Sequence, residues 1–318
     1  MSGRTLVAVD WGTSSLRAAL LGPGGEVLEE RAFPRGILTV DPGGFSSLFE
    51  VLFGDWMQVD GRLCLISGMA GSRQGWLEAP YCPCPTGFDE LGQRLAWIEP
   101  GRIAIVPGLS IDKDGVPDVM RGEETQVFGA LQLLELADAR LVLPGTHSKW
   151  VTVTKHHVTD FSTWMTGEFY ALLRQHSILA RTLPNNANDS DPALDANAFE
   201  QGVSHALHGQ GLLHTAFSTR TLSLFNRMAT DALPSYLSGL VIGEELKSQS
   251  LQRGDAVVVM GAEALTARYE QALGQLGVSV QRVGAGATWR GLRAIADTLP
   301  QPKNPTRQPT DIHPITAA

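Results

Sequence analysis

A strand, polar turn, strand unit that occurs twice constrains the fold of this sequence more than any other feature. The first unit covers residues 6–21 and the second covers residues 141–154. Both turns carry the letters Gly-Thr-x-Ser, at 12–15 and at 145–148, about 130 residues apart, which is a weak internal repeat. Two similar lobes would produce this pattern, and so would two ordinary hairpins that share a few letters by chance.

The rest of the chain alternates strand-like apolar runs with apolar residues at helical spacing. Strands are predicted near 27–33, 63–66, 102–107, 255–260 and 278–283, and helices over 45–57, 124–136, 169–179, 199–213, 233–246 and 263–276. A polar loop is predicted at 184–192. A chain of 318 residues, 43% of them hydrophobic, can bury two domain cores. We predict an α/β protein with domains at 1–138 and 139–299 and a flexible, proline-rich tail at 300–318.

Charge and hydropathy argue against several classes of partner. The formal net charge of -8 and the pI near 5.5 disfavour a surface built to bind nucleic acid or an anionic membrane. No apolar run is long enough for a membrane span, and the chain does not begin with a signal-peptide pattern. We therefore expect a cytoplasmic protein that binds small molecules.

The cysteines point to a reducing compartment. The three of them, Cys64, Cys82 and Cys84, are too few and too unevenly placed for a disulfide framework. Cys82-Pro83-Cys84 lacks the spacing and the partner pair of a zinc site. Two loop thiols are the better interpretation.

The two polar turns are the candidate sites of chemistry. Gly, Thr and Ser between strands offer backbone N–H groups and hydroxyls to a phosphate, although the same residues are common in plain hairpin turns. Asp10 at the end of the first strand favours the phosphate interpretation, because Mg²⁺ in phosphoryl transfer is held by one or two carboxylates. The sequence has no P-loop, no G-x-G-x-x-G and no protein-kinase motif set, so a nucleotide would need a different phosphate cradle.

Five segments carry a resemblance to known proteins. They are residues 10–17 (DWGTSSLR), 67–81 (SGMAGSRQGWLEAPY), 118–126 (DVMRGEETQ), 143–150 (LPGTHSKW) and 165–168 (MTGE). The first resembles the phosphate motif of sugar kinases in the actin/hexokinase/Hsp70 superfamily, and the other four resemble the 2-dehydro-3-deoxygalactonokinase family. Together the segments are specific, and the resemblance covers roughly residues 5–295.

The resemblance implies both a fold and an activity. The fold would be two ribonuclease H-like lobes, each with a five-stranded mixed sheet, closing around an active-site cleft. The activity would be transfer of the γ-phosphoryl group of ATP to the 6-hydroxyl of 2-dehydro-3-deoxy-D-galactonate, with Mg²⁺, in galactonate breakdown. Many such kinases pair as homodimers.

The resemblance also implies roles for the phosphate and nucleotide residues. Asp10 would hold Mg²⁺ directly or through water, and Gly12, Thr13 and Ser14 would line the γ-phosphate. The second phosphate turn would be Gly145-Thr146, and Gly261-Ala262 would be the adenosine turn. The alternative for Gly261-Ala262 is a simple strand-to-helix turn.

A carboxylate is needed to accept the proton of the sugar hydroxyl. In related sugar kinases it lies in a Gly-Asp segment before the second phosphate turn, and the corresponding segment here is Gly122-Glu123-Glu124. Glu123 is the first candidate, Glu124 the second and Asp118 the reserve. The alternative is that the glutamates only begin a helix whose dipole favours anions. Pro144 is a departure, because the wider superfamily often has an acidic residue before that glycine, so a second carboxylate for the metal is in question.

The substrate is an anion, so basic residues within the family segments are candidates to bind its carboxylate. Arg73 is favoured by its bidentate guanidinium, beside Ser72 and Trp76 in the same segment. Lys149 is equally compatible with a solvated charge, and His147 is favoured as a turn residue. Two other functions stay open: a phosphohydrolase of the same superfamily, and a non-catalytic sugar-binding regulator. The regulator is disfavoured because no DNA-binding segment precedes Leu6.

Overall fold

Mixed β-sheets and the helices packed on them make up the structure, a computed structural model that describes residues 4–59, 61–184, 193–284 and 286–300. The strands are β1 Leu6–Trp11, β2 Leu16–Leu21, β3 Val27–Phe33, β4 Leu63–Gly68, β5 Cys82–Pro83, β6 Ala96–Glu99, β7 Ile103–Ile105, β8 Leu109–Lys113, β9 Val116–Met120, β10 Ala139–Leu143, β11 Ser148–Thr154, β12 His157–Trp164, β13 Ala256–Met260 and β14 Ser279–Val283. The helices are α1 Phe45–Met57, α2 Phe88–Gln93, α3 Glu123–Leu134, α4 Thr166–His176, α5 Ala196–His208, α6 Leu212–Thr215, α7 Ser218–Leu224, α8 Leu233–Lys247, α9 Glu263–Gln275 and α10 Ala287–Asp297.

The two large sheets share one strand order. The first is β3-β2-β1-β4-β7-β6 and the second is β12-β11-β10-β13-β14. In each sheet the first three strands in chain order are antiparallel neighbours. The next two, β4 and β7 in the first sheet and β13 and β14 in the second, run parallel to β1 and β10 respectively. This repeated order confirms the predicted two-lobed α/β fold. The first sheet also has the antiparallel edge strand β6, so it contains six strands where five were expected.

Sheet register determines which residues meet at the edge of the sheets. In the first sheet Asp10 of β1 is paired with Arg17 of β2 and with Ser67 of β4. In the second sheet Val142 of β10 is paired with Val259 of β13. The carboxyl ends of parallel strands share an edge, so both Gly-Thr-x-Ser turns lie at the ends where such folds bind ligands.

A shared core lies between the sheets. Helices α3 and α10 cross so closely that an ideal Cβ at Gly129 would lie 1.7 Å from the Ala287 carbonyl oxygen. Around them one cluster of buried side chains combines strand residues of both sheets, including Leu65 and Leu141. Helix α10 also packs on β1, β2 and β4 of the first sheet, although it follows the second sheet in the chain. The division at 138/139 remains a prediction.

The predicted elements agree with the structure where the apolar pattern is long. Helix α1 and strand β3 have the predicted bounds. Helix α4 begins at Thr166, three residues earlier than predicted, and α5 ends at His208, before Gly209. A small third sheet of β5, β8 and β9 was not predicted, because its strands are short and β9 is largely exposed.

Some predictions cannot be compared with the structure. Residues 185–192 of the predicted loop and residues 301–318 of the predicted tail lie outside the described residues. Within the ranges given above, no helix combines the length and the apolar character needed to traverse a bilayer.

Candidate active site

The first Gly-Thr-x-Ser turn closes the β1–β2 hairpin and is exposed. The Gly12 N–H donates to the Ser15 carbonyl oxygen at 2.9 Å, and Thr13 and Ser14 are both solvent-exposed. The segment after β3 supports the turn from behind, where the Ile37 N–H donates to the Gly12 carbonyl oxygen at 3.0 Å. A supported turn with exposed hydroxyls can donate to a phosphate.

Asp10, near the end of β1, is oriented by Arg17. The Arg17 Nε donates to Asp10 Oδ2 at 2.8 Å, and its Nη2 donates to Thr288 Oγ1 at 2.9 Å. The guanidinium also lies 5.2 Å from the centre of the Trp289 ring. Contacts with α10 therefore fix Arg17, and Arg17 in turn fixes the carboxylate of Asp10.

Three elements converge beside Asp10. Gly68 ends β4 with φ of +93°, and an ideal Cβ there would lie 2.8 Å from the Trp11 carbonyl oxygen and 3.3 Å from Asp10 Oδ1. A Cβ at Gly122, which precedes α3, would lie 3.3 Å from the Gly68 Cα. Only residues without side chains permit this approach. The amino end of α3 is thereby brought next to Asp10.

The two glutamates that begin α3 have different environments. Glu124 is fully buried, and its Oε2 accepts from the Gly122 N–H at 2.6 Å. Burial, and then the charge of Glu123, raise the pKa of Glu124 to about 8, so it is mostly protonated at neutral pH. Glu123 is half-buried, and its Oε2 accepts from the Arg121 N–H at 3.0 Å.

Glu123 lies within electrostatic reach of both phosphate hairpins. Burial raises the pKa of Glu123, Lys149 of the second hairpin opposes that rise, and Asp10 of the first adds to it. A carboxylate that has a raised pKa and is still accessible is suited to accept a proton. Of the two glutamates, Glu123 has the exposure and the charged neighbours that this role needs.

Asp118 and Lys149 join β9 to the second sheet. Asp118 accepts from Thr163, through the backbone N–H at 2.7 Å and the hydroxyl at 2.6 Å. Lys149 is 6% exposed, and its Nζ donates to the Val119 carbonyl oxygen at 2.9 Å and to Thr163 Oγ1 at 2.6 Å. Both oxygens of Asp118 are thus used in a link that holds β9, and with it the start of α3, against β12.

The second Gly-Thr-x-Ser turn forms one wall of a cavity. The cavity has a volume of about 250 Å³ and lies between this turn, the start of α4, and helices α8 and α9. It is lined by Gly145, Thr146, Thr166, Gly167, Tyr170, Ser238, Val241, Ile242, Leu265, Arg268 and Tyr269. An apolar lining with a few polar groups is typical of a small-molecule site. His147 is exposed, and its Nε2 lies 2.6 Å from Glu168 Oε2.

The predicted adenosine turn adjoins the second phosphate turn. An ideal Cβ at Gly261 would lie 3.5 Å from the carbonyl oxygen of Pro144. Ala262 is the N-cap of α9, the helix that supplies Leu265 and Tyr269 to the cavity. The structure therefore brings Gly145, Thr146, Gly261 and Ala262 to one edge of the second sheet.

The residues predicted to bind the sugar acid lie in the segment after β4. The Ser72 hydroxyl is buried and, among the described residues, has no hydrogen-bond partner. Arg73 is 88% exposed and its Nε lies 3.1 Å from Glu78 Oε1. Trp76 packs against Trp11 and Phe45 in an aromatic cluster on the first sheet. Their roles toward the substrate remain predictions.

Two residues of the site region were missed by the sequence analysis. Arg17 was quoted only as part of a motif, although its place seven residues after Asp10 across a short hairpin would have predicted the pairing. Glu245 is 1% exposed and lies beneath the second turn. The sequence feature that could have identified Glu245 is a carboxylate within α8, a helix that is mostly apolar and almost entirely buried.

Comparisons with known proteins agree on one family. The family model for 2-keto-3-deoxy-galactonokinase matches residues 10–295. The 2-dehydro-3-deoxygalactonokinase of Escherichia coli strain K12 is 33% identical over 296 residues, covering 92% of this chain and 98% of the relative. A Rhizobium meliloti strain 1021 protein, for which the same activity is proposed, is 36% identical over 298 residues, covering 92% of this chain and 96% of the relative. A crystal structure of a Sinorhizobium meliloti protein, also proposed to be a 2-dehydro-3-deoxygalactonokinase, superimposes with a TM-score of 0.84 at 36% identity, covering 92% and 98% of the two chains.

Proposed function

The chain belongs to the 2-keto-3-deoxy-galactonokinase family, and we propose that it transfers the γ-phosphoryl group of ATP to the 6-hydroxyl of 2-dehydro-3-deoxy-D-galactonate. The protein is a sugar-acid kinase, and neither a phosphohydrolase nor a non-catalytic regulator is favoured. A cytoplasmic location and a homodimer remain predictions.

The observation that carries the proposed mechanism is the place of Glu123. It stands at the start of α3, and the charges of Asp10 of the first hairpin and Lys149 of the second both influence its pKa. A phosphoryl group held by the two turns would lie next to a carboxylate able to accept a proton. Phosphoryl transfer needs little more from a protein than such alignment and charge stabilisation.

The residues of the site account for each bond and proton that changes in the reaction. Glu123 accepts the proton of the 6-hydroxyl as that oxygen bonds to the γ-phosphorus, the bond from the γ-phosphorus to the bridging oxygen breaks, and ADP leaves. Thr13 and Ser14 donate to the γ-phosphoryl oxygens, and Gly145 and Thr146 bind the phosphates from the other side. Glu124, buried and mostly protonated, holds the Gly122 N–H and so fixes the first turn of α3.

The residues present fit Mg²⁺. Asp10 uses Oδ2 to accept from Arg17, and its Oδ1 lies beside Gly68, which has no side chain. Among the residues described, no group of three His, Cys, Asp or Glu side chains forms a metal cage, but Mg²⁺ with ATP needs only one or two carboxylates beside phosphates and water. When bound, Mg²⁺ neutralises charge on the phosphates.

The assay that tests the function measures ADP formation with and without the sugar acid. We expect ADP release by the purified protein to depend on added 2-dehydro-3-deoxy-D-galactonate and on Mg²⁺. The phosphorylated carbon is then located by ³¹P–¹H correlation NMR of the product. Release that is equally fast without any sugar acid would contradict the kinase and favour a hydrolase.

A further inference from the structure

A buried carboxylate that the mechanism does not use lies behind the cavity of the second lobe. Glu245 of α8 is 1% exposed, and it accepts hydrogen bonds from four side chains. Its Oε1 accepts from Ser148 Oγ at 2.8 Å and from Trp150 Nε1 at 2.6 Å, and its Oε2 accepts from the Thr166 hydroxyl and from the Tyr269 hydroxyl at 2.8 Å. Burial raises the pKa of Glu245, and these four hydrogen bonds oppose that rise. Four donors match the acceptor capacity of a carboxylate.

The four donors divide into two pairs with different positions. Ser148 and Trp150 belong to β11, directly after the second phosphate turn. Thr166 and Tyr269 both line the 250 Å³ cavity. One oxygen of Glu245 therefore holds the strand that carries the turn, and the other holds the hydroxyls of two residues that line the cavity.

The direction of these hydrogen bonds decides what the wall offers to a ligand. A hydroxyl has one hydrogen and two lone pairs. Because the hydroxyls of Thr166 and Tyr269 donate their hydrogens to Glu245, their oxygens can only accept any further hydrogen bond. Such acceptors repel phosphate oxygens and favour ligand N–H and O–H groups.

We propose that Glu245 is a positioning residue for the nucleoside part of ATP, acting through the hydroxyls of Thr166 and Tyr269. The nucleoside lies in the cavity beside the acceptors, and the phosphates extend to the turn at Gly145 and Thr146. This inference rests on the kinase activity proposed above.

The substitution Glu245→Gln tests the inference by changing one pair of hydrogen bonds. The Trp150 N–H can only donate, so the glutamine oxygen must face Ser148 and Trp150, and its NH₂ group must face Thr166 and Tyr269. Those two hydroxyls then turn their hydrogens away and become donors. The hydrogen bonds from Ser148 and Trp150 that support the turn are kept, while the hydroxyls of Thr166 and Tyr269 change from acceptors to donors.

We expect Glu245→Gln to raise the KM for ATP about ten-fold, because hydrogen bonds tied to a charged group are among the stronger ones. The inhibition constant of adenosine, competing with ATP, should rise by the same factor. The inhibition constant of pyrophosphate and the KM for the sugar acid should stay within about two-fold, because the turn and the first lobe are unchanged. Glu244→Gln, the same change one residue earlier at a side chain outside the cavity, is the matched control and should leave all four values unchanged.

Other outcomes would overturn the inference. A purely structural role for Glu245 would lower kcat or the folded fraction and leave the ratio of the two KM values unchanged. Weaker inhibition by pyrophosphate with unchanged inhibition by adenosine would show that Glu245 supports the phosphate turn instead. If Glu245→Gln does not fold, Thr166→Val and Tyr269→Phe remove the two acceptors one at a time. Unchanged inhibition by adenosine in both variants would contradict the inference. A wild-type protein without sugar-dependent ADP release would instead refute the kinase itself.

Discussion

The two Gly-Thr-x-Ser hairpins have the same letters and nearly opposite surroundings. In the first, Ser15 is exposed and the nearest carboxylate, Asp10, is partly exposed and paired with Arg17. In the second, Ser148 is fully buried and bonds to Glu245, a carboxylate on a distant helix. The first turn therefore has a carboxylate at its surface, where a cation can reach it, and the second has one beneath it.

This difference assigns different tasks to the two turns. A surface carboxylate beside exposed hydroxyls suits the Mg²⁺ and γ-phosphate end of ATP. A buried carboxylate with four donors stiffens its surroundings and keeps a cavity in shape. The absence of an acidic residue at Pro144 fits this division, because the second hairpin lies beside the proposed nucleoside cavity.

The largest expected effect separates the carboxylates at the start of α3. We expect Glu123→Gln to lower kcat by roughly 10²- to 10⁴-fold, the usual contribution of a general base, with little change in ATP binding. Glu124→Gln is the matched comparison and should lose far less, because Glu124 is already mostly protonated. Steady-state kinetics and nucleotide titration measure both. Near wild-type kcat for Glu123→Gln would place the base elsewhere.

The next effect concerns the metal at the first hairpin. Asp10→Asn keeps the size of the side chain and removes the charge. We expect the Mg²⁺ concentration for half-maximal activity to rise roughly 10- to 100-fold, in the range seen when groups that support a metal site are changed. ADP formation over a Mg²⁺ series provides the measurement. An unchanged Mg²⁺ dependence would remove Asp10 from the metal site.

A matched pair of glycine substitutions compares the supports of the two turns. An ideal Cβ at Gly36 would lie 2.1 Å from the Thr13 carbonyl oxygen, and one at Gly167 would lie 2.5 Å from the Gly145 carbonyl oxygen. Displacing a turn can cost up to about 100-fold in activity. We expect Gly36→Ala to lower kcat mainly, and Gly167→Ala to raise the KM for ATP mainly. The same kinetic change in both variants would show that the turns do not divide their tasks.

The smallest effect is a shift of the pH profile. Glu123 must be deprotonated to accept a proton, so its raised pKa places the acid limb of kcat above the ordinary glutamate value of 4.5. Lys149→Met removes the charge that opposes this rise, so the acid limb should move to higher pH. A higher KM for the sugar acid without a pH shift would instead indicate that Lys149 binds the substrate carboxylate. Thermal unfolding of the variant controls for lost packing, because Lys149 is buried.

Much of the fold could be predicted from local pattern. Helix α1 has apolar residues at helical spacing over its full length, and β1 begins with the apolar run 6–9, so each was recognised. Strands β5, β8 and β9 were missed, because short or exposed strands have no periodic signal. In the structure they form one sheet with β8 in the middle. The candidate site was predicted in part: the segments that contain Asp10, Glu123 and Gly145 were identified, but the roles within them were not separated.

The sequence by itself determined the family, the two hairpins and the set of carboxylates, because these depend on residue type and short spacing. Only the tertiary structure decided which glutamate is accessible, that both oxygens of Asp118 are engaged by Thr163, and that Glu245 lies beneath the second turn. Those facts depend on burial and on contacts between residues far apart in the chain. Burial changes the cost of a charge, and distant contacts decide which charges are compensated.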